Sequence, residues 1–306
     1  MLERFYKKIF RGDLSEFDYA LRDVVKKFFI GVEGKFYSMH AVQAAVVEDK
    51  YPVEESKIEK LKEVLTSLEK EKGLILLWGF ANWFYKKKGY KDCLKFLDVF
   101  IEKEPNYAEA YNNRGLAYAE LNKYERAIKD FSTAIALNPD DAAAYNNRGV
   151  AYAELNQPER AIKDYGKAIE LNPNYAEAYV NRGIAYSEIR RYEGSARDLK
   201  KAGILFLHSG REEDAVKAFS FCFKLRDKIE NDDIVYCGLA LFLITLNSDV
   251  IIALRKMKTQ DETLRELLEL TMRKLRNEDI SDEMAVLVGK EKRNEMMPLL
   301  ELLTRA

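Results

Sequence analysis

The chain has 306 residues, 47% of them hydrophobic, which is long enough to bury a core and too apolar for disorder. Its 50 Lys and Arg nearly balance 51 Asp and Glu, with both signs spread along the chain, so no overall field draws it to nucleic acid or to an anionic membrane. Three cysteines, Cys93, Cys222 and Cys237, none in a Cys-x-x-Cys pair, speak against a disulfide framework and for a reducing, cytoplasmic compartment. Scarce glutamine beside abundant Lys and Glu leans toward a thermophilic source.

Residues 1–72 read as an N-terminal helical cap, with Phe5, Ile9, Phe10, Phe17, Leu21 and Phe28 spaced for buried stripes and a charged helix from about Glu54 to Glu71. Leu2, Phe5, Ile9 and Phe10 oppose Arg4, Lys7, Lys8 and Arg11, a pattern that also suits an interfacial membrane anchor. Charges interrupt the apolar residues there, so no signal-peptide core is present.

From residue 106 the chain repeats itself. Asn106–Pro139 is followed by a near copy, Asp140–Pro173, and by a third from Asn174; Gly115, Gly149 and Gly183 are 34 residues apart, as are Pro105, Pro139 and Pro173. Each unit holds two blocks of helix-spaced apolar residues around a polar turn, which predicts a helical hairpin. Asn106 with Glu109, and Asn174 with Glu177, suggest capping boxes at the first helix; Asn-Pro ends the second. The mid-helix glycines predict close helix approach, each facing a small residue, Ala127, Ala161 or Ser195. Arg114, Arg148 and Arg182 each precede an aspartate by 16 residues, Asp130, Asp164 and Asp198, predicting a ladder of partly buried ion pairs.

Residues 73–105 form a degenerate copy in which Ala81 stands for the glycine and Cys93 for the alanine. After the third unit the pattern returns at Gly203, Ala215 and Phe219, only 20 residues beyond Gly183, so the second helix of one unit and the first of the next are expected to fuse near 192–208. That gives a repeat region over 73–230, divided 73–105, 106–139, 140–173 and 174–230. Residues 231–306 read as three or four further helices that cover the open end. The apolar run Ile234–Leu246 is shorter than the ~20 residues of a membrane span and suits a buried helix. The final apolar segment (Met296, Met297, Leu299, Leu300, Leu302, Leu303) is open to core packing, to self-association, or to a self-ligand role.

Gly-x-x-Tyr in each first helix, Ala-x-x-x-aromatic in the second and the terminal proline closely resemble the tetratricopeptide repeat family over residues 106–201. The resemblance implies an all-α fold, an α-α superhelix between helical caps, and a non-enzymatic scaffold that holds a peptide or helix of a partner protein. In that family the first helices line the concave surface. The implied row is Asn112, Leu116, Ala119 and Glu120, then Asn146, Val150, Ala153 and Glu154, then Val180, Ile184, Ser187 and Glu188. Asparagine amides suit an extended backbone, the apolar strip supplies area, and the glutamates favour basic groups. The co-chaperone branch grips a C-terminal carboxylate with Lys and Asn; only Asn82 fits here, so chaperone tails are expected to be refused.

No phosphate-binding glycine loop, nucleophile elbow, calcium loop or zinc-ligand spacing occurs, and His40 and His208 stand in unrelated segments, so neither catalysis, metal nor cofactor is expected. Lys86, Lys87, Lys88 and Lys91 beside Trp78, Trp83 and Tyr85 form a basic and aromatic cluster, read as a solvated turn with RNA contact as the alternative.

Overall fold

The computed structural model describes residues 70–276, 280–282 and 296–305, and every regular element among them is helical. The N-terminal anchor pattern, His40 and most of the N-terminal cap lie outside the described residues. The chain divides between Pro139 and Asp140 into two compact units.

In the first unit, α1 (Lys70–Lys86) and α2 (Tyr90–Lys103) form one hairpin, and α3 (Ala108–Glu120) and α4 (Tyr124–Leu137) the next. Its degenerate hairpin is held by aromatics: Phe96 stacks on Phe80 at 5.6 Å and on Phe84 at 5.4 Å, within a cluster that also buries Leu77, Cys93 and Leu97. In the second unit, α5 (Ala142–Glu154) pairs with α6 (Pro158–Leu171), α7 (Ala176–Glu188) with α8 (Tyr192–His208), and α8 in turn with α9 (Glu212–Lys224). A 3-10 turn, Leu225–Asp227, leads to α10 (Asp232–Thr245), α11 (Ser248–Leu254), α12 (Glu262–Lys274) and α13 (Met297–Arg305).

One turn recurs between the helices. At Lys88 and Asn122 in the first unit, and at Asn156, Arg190 and Gly210 in the second, the backbone is left-handed. The amide that follows bonds the carbonyl five residues back, as from Lys123 to Tyr118 (2.9 Å) and from Arg191 to Tyr186 (2.8 Å), satisfying carbonyls that the helix end leaves free. Second helices stop where expected, since Asn138 and Asn172, each before a proline, are extended.

Two local expectations are corrected. Asn106 and Asn174 do not cap: α3 and α7 begin one residue later than a capping box needs, after Tyr107 and Tyr175, whose side chains make no cap bond. Among the first helices of the regular repeats, only α5 has a side-chain cap, in which the Asp141 carboxylate accepts from the amides of Ala143 and Ala144. Gly115 and Gly149 face large side chains sixteen residues on rather than Ala127 and Ala161, whereas Gly183 meets Leu199 and also, as expected, Ser195, through its backbone carbonyl. A Cβ on Gly115 would lie 2.6 Å from the Phe131 ring, and one on Gly149 2.6 Å from the Tyr165 ring. At these two positions the glycine admits an aromatic ring of the second helix against the first helix's backbone.

The helix α8 is a single unbroken element of 17 residues. Its first half packs on α7 through Gly183 and Leu199, and its second half on α9 through Gly203 and Phe219. The apolar helix α10 is buried from Ile234 through Leu243. No described helix is long and apolar enough to cross a membrane. In α13, Leu299, Leu300 and Leu303 are at most 1% exposed, packed into the core that includes α10. Of the three readings of this segment, core packing is the one these contacts show.

Candidate functional site

Arginine–aspartate pairs fix the helices of the regular hairpins against one another. Arg114 donates from Nε and Nη2 to both carboxylate oxygens of Asp130, at 2.7 and 2.8 Å, and from Nη1 to Asp98 at 2.8 Å. Arg148 grips Asp164 in the same two-point way at 2.7 and 2.8 Å, and Arg182 grips Asp198 at 2.7 and 2.9 Å. The aspartate side chains are 5–7% exposed, so these are buried charges whose partners are obligatory. Its hydrogen bonds to Asp130 and Asp98 hold the Arg114 guanidinium protonated more firmly than usual. These residues tie the two helices of a hairpin together, which is a structural task.

On α3, Leu116 and Ala119 are half-buried and Glu120 is exposed. Glu120 accepts from the Tyr90 hydroxyl, which raises that tyrosine's pKa; burial, then Glu120, pushes Tyr85 up to about 12. On α5, Val150 and Ala153 are half-buried and Glu154 exposed; on α7 the same holds for Val180, Ile184 and Ser187, with Glu188 exposed.

The asparagines of that row need correction. Asn112 and Asn146 are 9% and 6% exposed, and the Asn146 carbonyl accepts from Asn181 Nδ2 at 3.0 Å. In the first unit Asn113 Nδ2 donates to Asn82 at 3.2 Å. Asn146 and Asn113 thus cross-link neighbouring first helices, and Asn112 is buried, rather than standing open for a peptide. The signal was present in the sequence as a second invariant column, Asn113, Asn147 and Asn181, one residue after the column that was singled out.

Sequence reasoning missed a hollow in the second unit, of about 280 Å³. Val180 and Ile184 of α7 form one wall, Leu199 and Phe206 of α8 the floor, and Ala218 and Phe221 of α9 the other wall. Four charged side chains ring it. Arg211 pairs with Glu177 and, at 2.8 Å, with Asp214, while its guanidinium lies 4.5 Å from the centre of the Phe206 ring. Lys217 reaches Asp214 at 3.2 Å, and the hydrogen bonds from Lys217 and Arg211 draw the Asp214 carboxyl below its usual pKa. The hollow exists because α8 is continuous, which sets α9 opposite α7 across it.

Elsewhere, Lys86, Lys87, Lys88 and Lys91 are exposed. The nearby rings are engaged within the protein: Trp78 with Phe100 (5.2 Å) and Tyr107 (5.4 Å), Trp83 with Phe84 (4.7 Å), and Tyr85 with Tyr90 (5.5 Å). His208 ends α8. No group of three or more His, Cys, Asp or Glu among the described residues is placed to hold a metal ion.

Three family models match: one for the TPR repeat over residues 116–156, and two for the tetratricopeptide repeat, over 142–175 and over 96–129 with 165–197. No curated protein matches. Among solved structures, the first TPR of Spaghetti (RPAP3) bound to an HSP90 peptide is 29% identical, with 40% of this chain and 96% of that one covered and a TM-score of 0.38. The second TPR domain of human RPAP3 in complex with an HSP70 peptide is 26% identical, covering 38% and 98%, TM-score 0.37. MamA is 22% identical, covering 64% and 98%, TM-score 0.42. The expectation that chaperone tails are refused finds no support in these comparisons.

Proposed function

This chain is a tetratricopeptide repeat protein, and on that premise we propose that it is a non-enzymatic scaffold whose first helices hold a segment of a partner protein. The observation that carries the reading is the half-buried apolar row Val150, Val180 and Ile184 beside exposed Glu154 and Glu188 on α5 and α7. Leu116 and Glu120 repeat the combination on α3 of the other unit. Apolar area next to exposed carboxylates suits a segment that alternates apolar and basic side chains. Ala119, Ala153 and Ser187 keep the surface low enough for such a segment to lie close. The buried thiols of Cys93, Cys222 and Cys237 suit a reducing, cytoplasmic setting.

The test is affinity capture from the source cell with the wild-type chain and with a Glu120→Lys, Glu154→Lys, Glu188→Lys variant of unchanged melting temperature. Loss of a partner's captured amount by tenfold or more is expected. Equal capture by both proteins rejects the first helices as the binding surface. A peptide ending in Glu-Glu-Val-Asp, titrated in parallel, decides whether acidic chaperone tails belong to the partners; the glutamates favour basic peptides over it.

A further inference from the structure

We infer that the hollow between α7 and α9 receives one bulky uncharged side chain, Leu, Met or Phe, as the anchor of the partner segment. The inference rests on the scaffold reading above and narrows it. Three observations carry it. The walls and floor are apolar at Val180, Ile184, Leu199, Phe206, Ala218 and Phe221, and the one uncharged polar residue of the lining, Asn181, donates its amide to Asn146. At about 280 Å³ the space is below the ~300–1,000 Å³ of sites that enclose a whole small molecule, which favours a single projecting group. The rim neutralises itself: Glu177, Arg211, Asp214 and Lys217 are paired with one another, so an entering charge must break a pair, whereas an apolar group leaves all of them intact.

The register of the repeat explains why the floor is free of charge. Each regular hairpin places an arginine before its glycine and an aspartate sixteen residues on. At the α8–α9 contact these two positions hold Ala202 and Ala218, 0% and 3% exposed. The ion pair has been removed where the hollow opens. An anchor entering here is desolvated at the centre of a charged ring, the arrangement of a binding hot spot.

The full chain is panned against a random library of twelve-residue peptides, and Kd is measured for the selected binders. They are expected to share one bulky apolar residue, with an affinity about ten- to a hundredfold weaker when it becomes Ala, the size expected for losing one buried large side chain. Val180→Phe, which narrows the hollow, is expected to weaken the same peptides comparably, and the two losses should not add. If Val180→Phe lowers the melting temperature, Phe221→Ala serves instead, and the preference should move to a larger anchor such as Trp. Binders indifferent to both variants but lost on Glu154→Lys and Glu188→Lys overturn the anchor and keep the scaffold. No binders at all overturns both. A wild-type dimer in sedimentation that dissociates with Val180→Phe assigns the hollow to a second copy and overturns the partner anchor.

Discussion

The regular hairpin α5–α6 and the contact between α8 and α9 solve one packing problem in two ways. Both seat an aromatic ring over a glycine sixteen residues earlier, Tyr165 over Gly149 and Phe219 over Gly203. The regular hairpin adds the Arg148–Asp164 pair beside that contact, and the fused junction replaces it with two alanines. The hairpin contact is therefore the conserved physical unit. The 34-residue period is dispensable, since losing fourteen residues between glycines left the contact in register. The ion pair is an accessory that the junction gave up, and a hollow stands in its place.

The comparison is broken most severely at the ion pair. Arg148→Met should destabilise the protein by about 3–5 kcal/mol in urea unfolding, because Asp164 is left buried and unpaired. Adding Asp164→Leu should restore most of the loss, which shows that the pair is dispensable in principle, as it is at the junction. A double variant as unstable as the single one would mean that the pair does more than neutralise itself.

The next effect is at the glycines. A Cβ at Gly203 meets the fully buried Phe219 ring at 2.2 Å, so Gly203→Ala should cost about 1–3 kcal/mol despite alanine's better helix propensity. At Gly183 the nearest atom is Leu199 Cγ at 3.0 Å. There the propensity gain of up to ~1 kcal/mol nearly offsets the contact, and Gly183→Ala should be close to neutral. Equal melting temperatures for the two variants would contradict a tighter junction. The smallest effect belongs to the turns. Arg190→Gly should stabilise by about 0.5–1 kcal/mol, since a residue without Cβ adopts the left-handed backbone without a steric clash, while Gly210→Ala at φ +73 should cost a similar amount.

Much of this was legible in the sequence. Period, hairpins, helix ends before proline and the sixteen-residue spacing of Arg and Asp all follow from local chemistry. The misreadings have physical causes. Asn106 looks like a cap only if the helix starts one residue earlier than it does. Size alone pairs Gly115 with Ala127, but the closest approach is set by Phe131 one helical turn later. Asn146 reads as an open amide because its partner, Asn181, lies on a neighbouring helix a whole repeat away in sequence. The hollow was invisible, since it depends on where α9 comes to rest after a helix loses its turn, and no pattern of residue types records that.

The three thiols have a practical consequence. Cys93 lies in the first unit, fully enclosed, with burial pushing its pKa up to about 12, whereas Cys222 and Cys237 are enclosed in the second unit. A thiol so placed reacts with an alkylating reagent only while its surroundings are transiently open. The chain thus carries an intrinsic clock in each half: the modification rate of Cys93 reports breathing around α2, and that of the other two reports breathing around α9 and α10, with no label to introduce.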